Sequence, residues 1–331
     1  MKALALLSGG LDSILATRLL QEQGLDVTAV NFASPFCASG KDGFGVVDVS
    51  RQLKIPLRVV NMGEDYLRIV RNPKYGYGAN MNPCIDCRIF ILRRAREYAD
   101  KIGVSFIFTG EVLDERPMSQ HLKALKIVEK EAGLERRVLR PLSAKLLPKT
   151  EAEMKGWVDR ERLMDIRGRS RKRQILLARE LGVEGYPSPA GGCLLTCREF
   201  AAKLRDLFEH KKKVGVKDVK LLKIGRHFRM GRNKIIVGRN EAENHLLKEL
   251  QGKRDYLLEV PDCGSPTTLL QGPKTENALN VAAALTLRYS DNREETASVS
   301  FRSGGTDKAI VSARLHDRQI ESLRIRWPQR T

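Results

Sequence analysis

Over its first 110 residues the chain alternates short apolar runs with helix-length segments, and few folds accept that alternation. Apolar runs at Ala3 to Leu7, Val27 to Phe32 and Leu57 to Val60 are separated by helix-like stretches at Asp12 to Gln23 and Val46 to Leu53. A helix from about Cys87 to Ile102 follows, then the strand Phe106-Ile107-Phe108 running into Thr109-Gly110. Strands of this length spaced by helices predict an α/β domain, a parallel sheet with helices on both faces. Ligands of such sheets bind beyond the carboxyl ends of the strands. Ser8 to Ser13, Phe32 to Ser34 and Thr109 to Glu111 all fall there.

Ser8-Gly9-Gly10-Leu11-Asp12-Ser13 joins the first strand to the first helix. Its glycines let backbone N–H groups close on phosphate oxygens, the helix N-terminus adds positive partial charge, and Ser8 and Ser13 supply hydroxyl donors. Asp12 is expected to ligate magnesium or to cap the helix. No Gly-Lys-Ser/Thr follows, so the loop is not a Walker loop. The hexapeptide resembles the SGG-x-DS signature of the PP-loop, or N-type ATP pyrophosphatase, superfamily. The resemblance implies a PP-loop/HUP-like fold and ATP bound by Ser8, Gly9, Gly10, Asp12, Ser13, Phe32, Thr109 and Gly110. It also implies cleavage to AMP and pyrophosphate with adenylation of a carbonyl oxygen. It does not choose among tRNA thiolases, lysidine synthetase, GMP and NAD synthetases and the deazaguanine nitrile-forming enzyme.

Thr109-Gly110-Glu111-Val112-Leu113, with Ser119-Gln120 and the later Arg140-Pro141-Leu142, resembles the TGE-x-L…SQ and RPL segments of tRNA 4-thiouridine synthetases. Six cysteines occur: Cys37, Cys84, Cys87, Cys193, Cys197 and Cys263. Without a secretory signal they are expected to be reduced, which points to metal, cluster or sulfur chemistry. Asn82-Pro83-Cys84-Ile85-Asp86-Cys87 sets two thiols around a helix start, where a lowered pKa favours thiolate. Gly191-Gly192-Cys193 adds a remote third. Cys84, Cys87 and Cys193 on a 4Fe–4S cluster would leave one iron open for sulfide. A zinc site would need a fourth ligand, which Cys197 could supply, and a persulfide needs no metal. The same segments resemble those of the 2-thiouridine tRNA synthetases, which implies that Cys87 and Cys193 are the working pair, catalytic alongside Asp12. Cys37, Cys263 and Cys197 are expected to be buried small hydrophobes.

The formal net charge of +19 points to a polyanionic partner. From Leu139 to about Gly192 the chain is basic and expected to be mostly helical, with Pro141, Pro148, Pro187 and Pro189 as punctuation. Arg167, Arg169, Arg171, Lys172 and Arg173 form its most charged run and are candidate RNA contacts. After a helix over Phe200 to Lys213, strands are expected at Val219 to Ile224, Lys234 to Val237, Tyr256 to Val260 and Ala309 to Ala313. Helices are expected near Glu241 to Leu250 and Thr275 to Tyr289. This predicts a smaller basic α+β domain, with residues 1–200 as the ATP domain, 201–214 a linker helix and 215–331 the second domain. Arg226, Arg229, Arg232, Lys234 and Arg239 interleave with Phe228, offering phosphate contacts and one stacking face. Ile224 to Arg229, Lys234 to Asn244 and Ala282 to Asp291 resemble the RNA-binding domain of the NFACT proteins of ribosome quality control.

The reading that follows is ATP-dependent tRNA thiolation, with ATP, Mg2+ and a three-cysteine 4Fe–4S cluster as cofactors and tRNA and a sulfur donor as partners. The donor is expected to be sulfide or a persulfide carrier, because the 4-thiouridine synthetases' own RNA-binding and rhodanese domains have no counterpart in these 331 residues. Two rivals make different predictions. A PP-loop ligase transferring nitrogen to a small molecule turns over without RNA, and a non-enzymatic RNA or ribosome binder releases no pyrophosphate. The apolar start Met1 to Leu7 is too short for a signal peptide and no apolar run approaches about 18 residues, so a cytoplasmic protein with no membrane partner is expected.

Overall fold

The initial alternation of apolar runs and helices builds a parallel sheet whose carboxyl ends share one pole. The structure, a computed structural model, describes residues 1–37, 45–186, 192–303 and 306–327. Gly191, Pro187 and Pro189 lie outside these described residues. Two compact units are present, Met1–Thr196 and Cys197–Thr331.

The first unit runs β1 (Lys2–Leu6), α1 (Leu11–Gln21), β2 (Asp26–Ala33), α2 (Val46–Gln52), β3 (Leu57–Asn61), α3 (Glu64–Arg71), α4 (Cys84–Ile102), β4 (Phe106–Thr109), α5 (Leu122–Ala132) and β5 (Val138–Leu139). The sheet order is β3-β2-β1-β4-β5, every pairing parallel, with Ala5 opposite Ala29 on one side and Phe108 on the other. Side chains alternate across it. Ala3, Ala5, Phe106 and Phe108 pack with Leu15 and Leu20 of α1, while Leu4 and Ile107 pack with Leu92 of α4 and Val128 of α5. Both faces are therefore buried, which is why these strands read as nearly continuous apolar runs. Connectivity reverses between β1 and β4, the crevice where ligands of open α/β sheets sit.

The segment from Leu139 differs from expectation. It holds only two α-helices among the described residues, α6 (Glu151–Met154) and α7 (Lys172–Glu180), joined by irregular backbone and 3-10 turns. Pro141 and Pro148 lack the N–H a helix needs, and Gly156 and Gly168 take φ of +65° and +87°.

The second unit comprises α8 (Arg198–His210), α9 (Val216–Leu222), β6 (Arg226–Met230), β7 (Asn233–Val237), α10 (Glu241–Glu249), β8 (Tyr256–Glu259), β9 (Thr268–Gln271), α11 (Glu276–Arg288), β10 (Thr296–Ser303), β11 (Thr306–Ala313) and α12 (Asp317–Leu323). Its antiparallel sheet has the order β11-β10-β8-β9-β7-β6 and buries one face under Ala278, Ala282, Ala283 and Leu285 of α11. The strand expected at Val219 to Ile224 is instead the end of α9 and its exit turn. The carboxylate of Asp218 accepts from the Gly215 N–H at 2.9 Å, and that cap starts a helix which buries Val219, Leu221 and Leu222. No described helix is long and apolar enough to cross a membrane.

Candidate functional site

The glycine loop closes on itself before it meets any ligand. Ser13 Oγ donates to the Gly10 carbonyl at 2.8 Å, Ser8 Oγ to Ser13 Oγ at 3.2 Å, and the Gly10 N–H to Ser8 Oγ at 3.3 Å. Gly9 has φ +83°, the left-handed region that favours glycine. Gly110, just past β4, is demanded by proximity, since a Cβ there would stand 2.4 Å from the Ser13 nitrogen and 2.5 Å from the Asp12 carbonyl carbon. The two strand ends expected to share a ligand are thus in backbone contact. Phe32 and Thr109 close β2 and β4 at the same pole, Phe32 half-buried and Thr109 buried.

Asp12 does not cap α1; the N-cap is Gly10, and no side chain caps it. Asp12 Oδ1 is buried without a partner, and Oδ2 lies 4.0 Å from Arg171. Burial raises its pKa against the pull of Arg171. Glu115 is raised in the same way, by burial and then by the charge of Asp12. A buried, unpaired carboxylate oxygen beside a second carboxylate is a donor set that fits a hard cation such as magnesium.

The Thr109 to Gln120 block is pinned by charge. Glu111 is buried between Arg140, whose Nε donates to Oε2 at 3.1 Å, and Arg88, whose Nε lies 3.3 Å from Oε1. Arg140 also pairs with Glu129. The Leu113 N–H donates to Ser143 Oγ at 2.9 Å, which explains why the residues after β5 accompany this block. Burial would raise Glu111, but the two guanidinium groups override it and hold the carboxyl below the usual glutamate range. Its contribution to stability is therefore complete above the pKa of an unfolded glutamate, and is lost as pH falls through the lower folded value. Glu111→Gln is expected to cost about 3 kcal/mol in chemical denaturation at pH 7, because buried Arg140 and half-buried Arg88 lose the carboxylate they share, with Glu129 left to Arg140 alone. The gap from the wild type should narrow as the pH is lowered towards 3, and a constant gap would contradict this account.

The thiols gather where two distant segments are stitched together. The Met81 N–H donates to the Leu195 carbonyl at 3.1 Å and Asn80 Nδ2 to the Thr196 carbonyl at 2.6 Å, bringing Cys193 to the start of α4. Cys84 opens that helix and accepts from Asn82 Nδ2 at 3.0 Å; Cys87, one turn on, accepts from the Tyr66 hydroxyl at 3.1 Å. Thiolates were expected, but burial favours the protonated form of Cys87 and Cys193. Burial pushes Cys87 up against the Tyr66 hydrogen bond, and pushes Cys193 up to about 12. Cys37 also differs from expectation: it is exposed and lies opposite Cys193 in an isolated antiparallel bridge. Cys197 is exposed too, its Sγ donating to Glu199 at 2.8 Å, and Cys263 is half-buried. Among the described residues no three Cys, His, Asp or Glu side chains are placed to hold a single metal ion. Tyr66 and Cys37 carried no spacing signal that could have singled them out.

The basic candidates divide by burial. Arg167, Arg169, Lys172 and Arg173 are exposed, Arg167 bonding Asp114 at 2.6 Å and Arg173 pairing with Asp165, whereas Arg171 turns inward to Asp12. In the second unit Arg232 and Arg239 are exposed, Arg239 pairing with Glu243. Arg226 is half-buried, 4.5 Å over the Tyr289 ring. Lys234 and Phe228 depart from expectation. Lys234 is only 5% exposed, 3.6 Å from Asp206, and Phe228 is fully buried in the sheet core, so neither offers a surface for phosphate or base. Arg229 is likewise committed to Asp206, through Nε at 2.8 Å. Alternation along β6 and β7 puts Phe228 on the α11 face and Arg229 with its register partner Lys234 on the opposite face, against Asp206 of α8, so both faces are covered.

Residues 1–146 match the family model described as thiamine biosynthesis protein (ThiI), and residues 225–324 match that of the NFACT protein RNA binding domain. The chain thus carries two separate likenesses, one in each compact unit. The chain is also similar to tRNA-specific 2-thiouridylase MnmA of Nitrosomonas europaea, 35% identical over 115 residues that cover 31% of this chain and 32% of that one. MnmA of Dichelobacter nodosus is 31% identical over 130 residues, 36% of this chain and 35% of that one. The chain spans about a third of the length of these relatives. Among solved structures, a 4-thiouridine synthetase in complex with RNA and bound ATP aligns at TM-score 0.34 and 25% identity, over 55% of this chain and 51% of that one.

Proposed function

We propose that this protein is an ATP-dependent tRNA sulfurtransferase, adenylating a uridine carbonyl oxygen and replacing it with sulfur to give thiouridine, AMP and pyrophosphate. One observation carries the reading: a continuous physical link from the glycine loop to the thiols. Ser13 touches Gly110, the next residue Glu111 holds Arg88, and Arg88 follows Cys87. Adenylation and sulfur delivery would thus be performed at one pole of one sheet, and the name of the thiouridylase relatives supports a thiouridine product.

ATP would lie over Ser8 to Ser13 with backbone N–H groups on its phosphates, donors already aimed where charge develops on the α-phosphorus. Asp12 Oδ1 is the atom to hold magnesium, which would neutralise the departing pyrophosphate. The uridine oxygen attacks the α-phosphorus, pyrophosphate leaves, and the base now carries AMP as a good leaving group. Sulfide delivered at Cys87 and Cys193 adds to the same carbon and expels AMP. Three thiols at one pole are the donor set of a 4Fe–4S cluster; Cys84, Cys87 and Cys193 would hold it, and its open iron would supply a site for sulfide. The exposed cations Arg167, Arg169, Lys172, Arg173, Arg232 and Arg239 would contact tRNA phosphates.

The test is pyrophosphate release from ATP with and without tRNA, followed by mass spectrometry of the digested nucleosides. RNA-dependent release together with a thiouridine is the expected result. Release without RNA would favour a small-molecule ligase, and RNA binding without release would leave a binding protein. Affinity for tRNA should fall steeply with salt, and Arg169→Ala or Lys172→Ala should each flatten the logarithmic salt slope by about 1. An unchanged slope in both variants would remove that surface from the interface.

A further inference from the structure

The first sheet ends at β5, and beyond it the chain from Arg140 to Thr150 is irregular apart from one 3-10 turn, Ala144–Leu146. Pro141 and Pro148 keep a helix from forming there, and the space beside α5 that a helix would fill is left as a cavity of 330 Å³. That volume is within the range of small-molecule sites. Its walls are aliphatic: Leu122 and Leu125 of α5, Leu139 of β5, and Leu147 and Pro148 of the irregular segment. None of the lining side chains is aromatic. Leu122, in the first turn of α5, is 43% exposed. The charges divide by depth. Buried Arg140 lines the cavity but is already balanced by Glu111 and Glu129, so it presents no free charge inward. Glu153 is likewise taken by Arg160. At the exposed positions of the lining, Lys126, Lys130 and Arg136 outnumber Glu135 three to one. Arg136 is held there in left-handed backbone, φ +59°, its N–H donating to Glu129 Oε2 at 3.3 Å and its carbonyl accepting from the Glu151 N–H at 2.8 Å. Such strain at a non-glycine residue collects at ligand sites.

We propose that this cavity binds an aliphatic carboxylate, its hydrocarbon chain against Leu122, Leu125 and Leu147 and its carboxylate among Lys126, Lys130 and Arg136. No cysteine lines the cavity, and the assignment does not depend on the sulfur-transfer reading. Walls without an aromatic ring favour a saturated chain over a nucleobase or an aromatic ligand, which would gain no stacking there. Burial of that chain supplies the affinity, and the surplus of cations at the solvent side supplies the preference for a negative head group. The carboxylates of Glu129, Glu135 and Glu153 in the same lining oppose a polyanion such as a nucleotide or RNA. An occupant rests against Arg140, the residue that carries Glu111 beside the adenylation loop.

The experiment titrates the full chain calorimetrically with hexanoate, octanoate and decanoate, below micelle-forming concentrations and without ATP or tRNA. One site per chain is expected, with an affinity gain of about fourfold for each added methylene and a negative heat-capacity change. Octanol, which keeps the chain and loses the charge, should bind roughly tenfold more weakly than octanoate, the size of a charge-assisted contact. Decanoate should slow amide exchange in α5 and in residues 144–150. Leu122→Glu and Lys126→Glu, both at exposed positions, should each weaken decanoate by roughly tenfold. A carboxylate in the first turn of α5 suits the helix dipole, so Leu122→Glu keeps its fold. Lys123→Glu, on the same helix but outside the lining, should bind as wild type does. Wild-type affinity in both Leu122→Glu and Lys126→Glu would overturn the assignment. So would octanol binding as tightly as octanoate, inorganic triphosphate binding more tightly than decanoate, or no saturable binding of decanoate at all.

Discussion

Gly110→Ala is expected to lower RNA-dependent pyrophosphate release by about 10²-fold, a loss of the size that misplacing reacting groups by about an ångström produces. The added Cβ would stand 2.4 Å from the Ser13 nitrogen and 2.6 Å from its Cα, both backbone atoms at the start of α1. No rotamer relieves such a clash; either β4 withdraws or the Ser8 to Ser13 loop shifts, and each separates the phosphate donors from Glu111 and Arg88. Gly103 supplies the control. It ends α4 with φ +66°, and a Cβ there meets nothing within 4 Å. Gly103→Ala should therefore cost about 1 kcal/mol of backbone strain in a denaturation curve and leave pyrophosphate release unaltered. If both alanines impair release equally, the contact between Gly110 and the loop is not what aligns the site.

What could be read from the sequence, and what could not, follows the range of the interactions involved. The parallel sheet was legible because burial on both faces writes itself into consecutive residues, as in Ala3-Leu4-Ala5. The glycine loop was legible because its hydrogen bonds close within six residues, from Ser8 to Ser13. Local pattern failed where a cap or a distant partner decided the outcome. Val219 to Ile224 looks like a strand until Asp218 is seen to cap Gly215. Lys234 and Arg229 look like phosphate contacts until Asp206, in a separate helix, is seen to hold them. Cys37 was least legible of all. Its relation to Cys193 depends on one hydrogen bond between Leu194 and Phe36, more than 150 positions apart in the chain, and nothing around it in sequence reports that.

Cys193→Ser should abolish thiouridine formation while leaving RNA-dependent pyrophosphate release within a few-fold of wild type, and this separation bears most on the proposed chemistry. The two half-reactions use different atoms. Adenylation depends on the loop, on Asp12 and on the glycine contact at Gly110, none of which Cys193 touches; its backbone partners are Phe36 through Leu194 and the Thr196 N–H. Sulfur delivery depends on a nucleophile that serine does not replace, because an alcohol neither carries a persulfide nor binds soft metal as a thiolate does. Cys87→Ser should behave alike, with the added loss of the Tyr66 hydrogen bond to sulfur. Asp12→Asn should show the opposite pattern, losing pyrophosphate release while polysulfide still loads the thiols. Pyrophosphate release and polysulfide loading then each report on one end of the linkage through Glu111 and Arg88. Loss of pyrophosphate release in the cysteine variants, with folding intact, would mean that the thiols contribute to adenylation itself, and the division of labour argued from Ser13, Gly110, Glu111 and Arg88 would have to be abandoned.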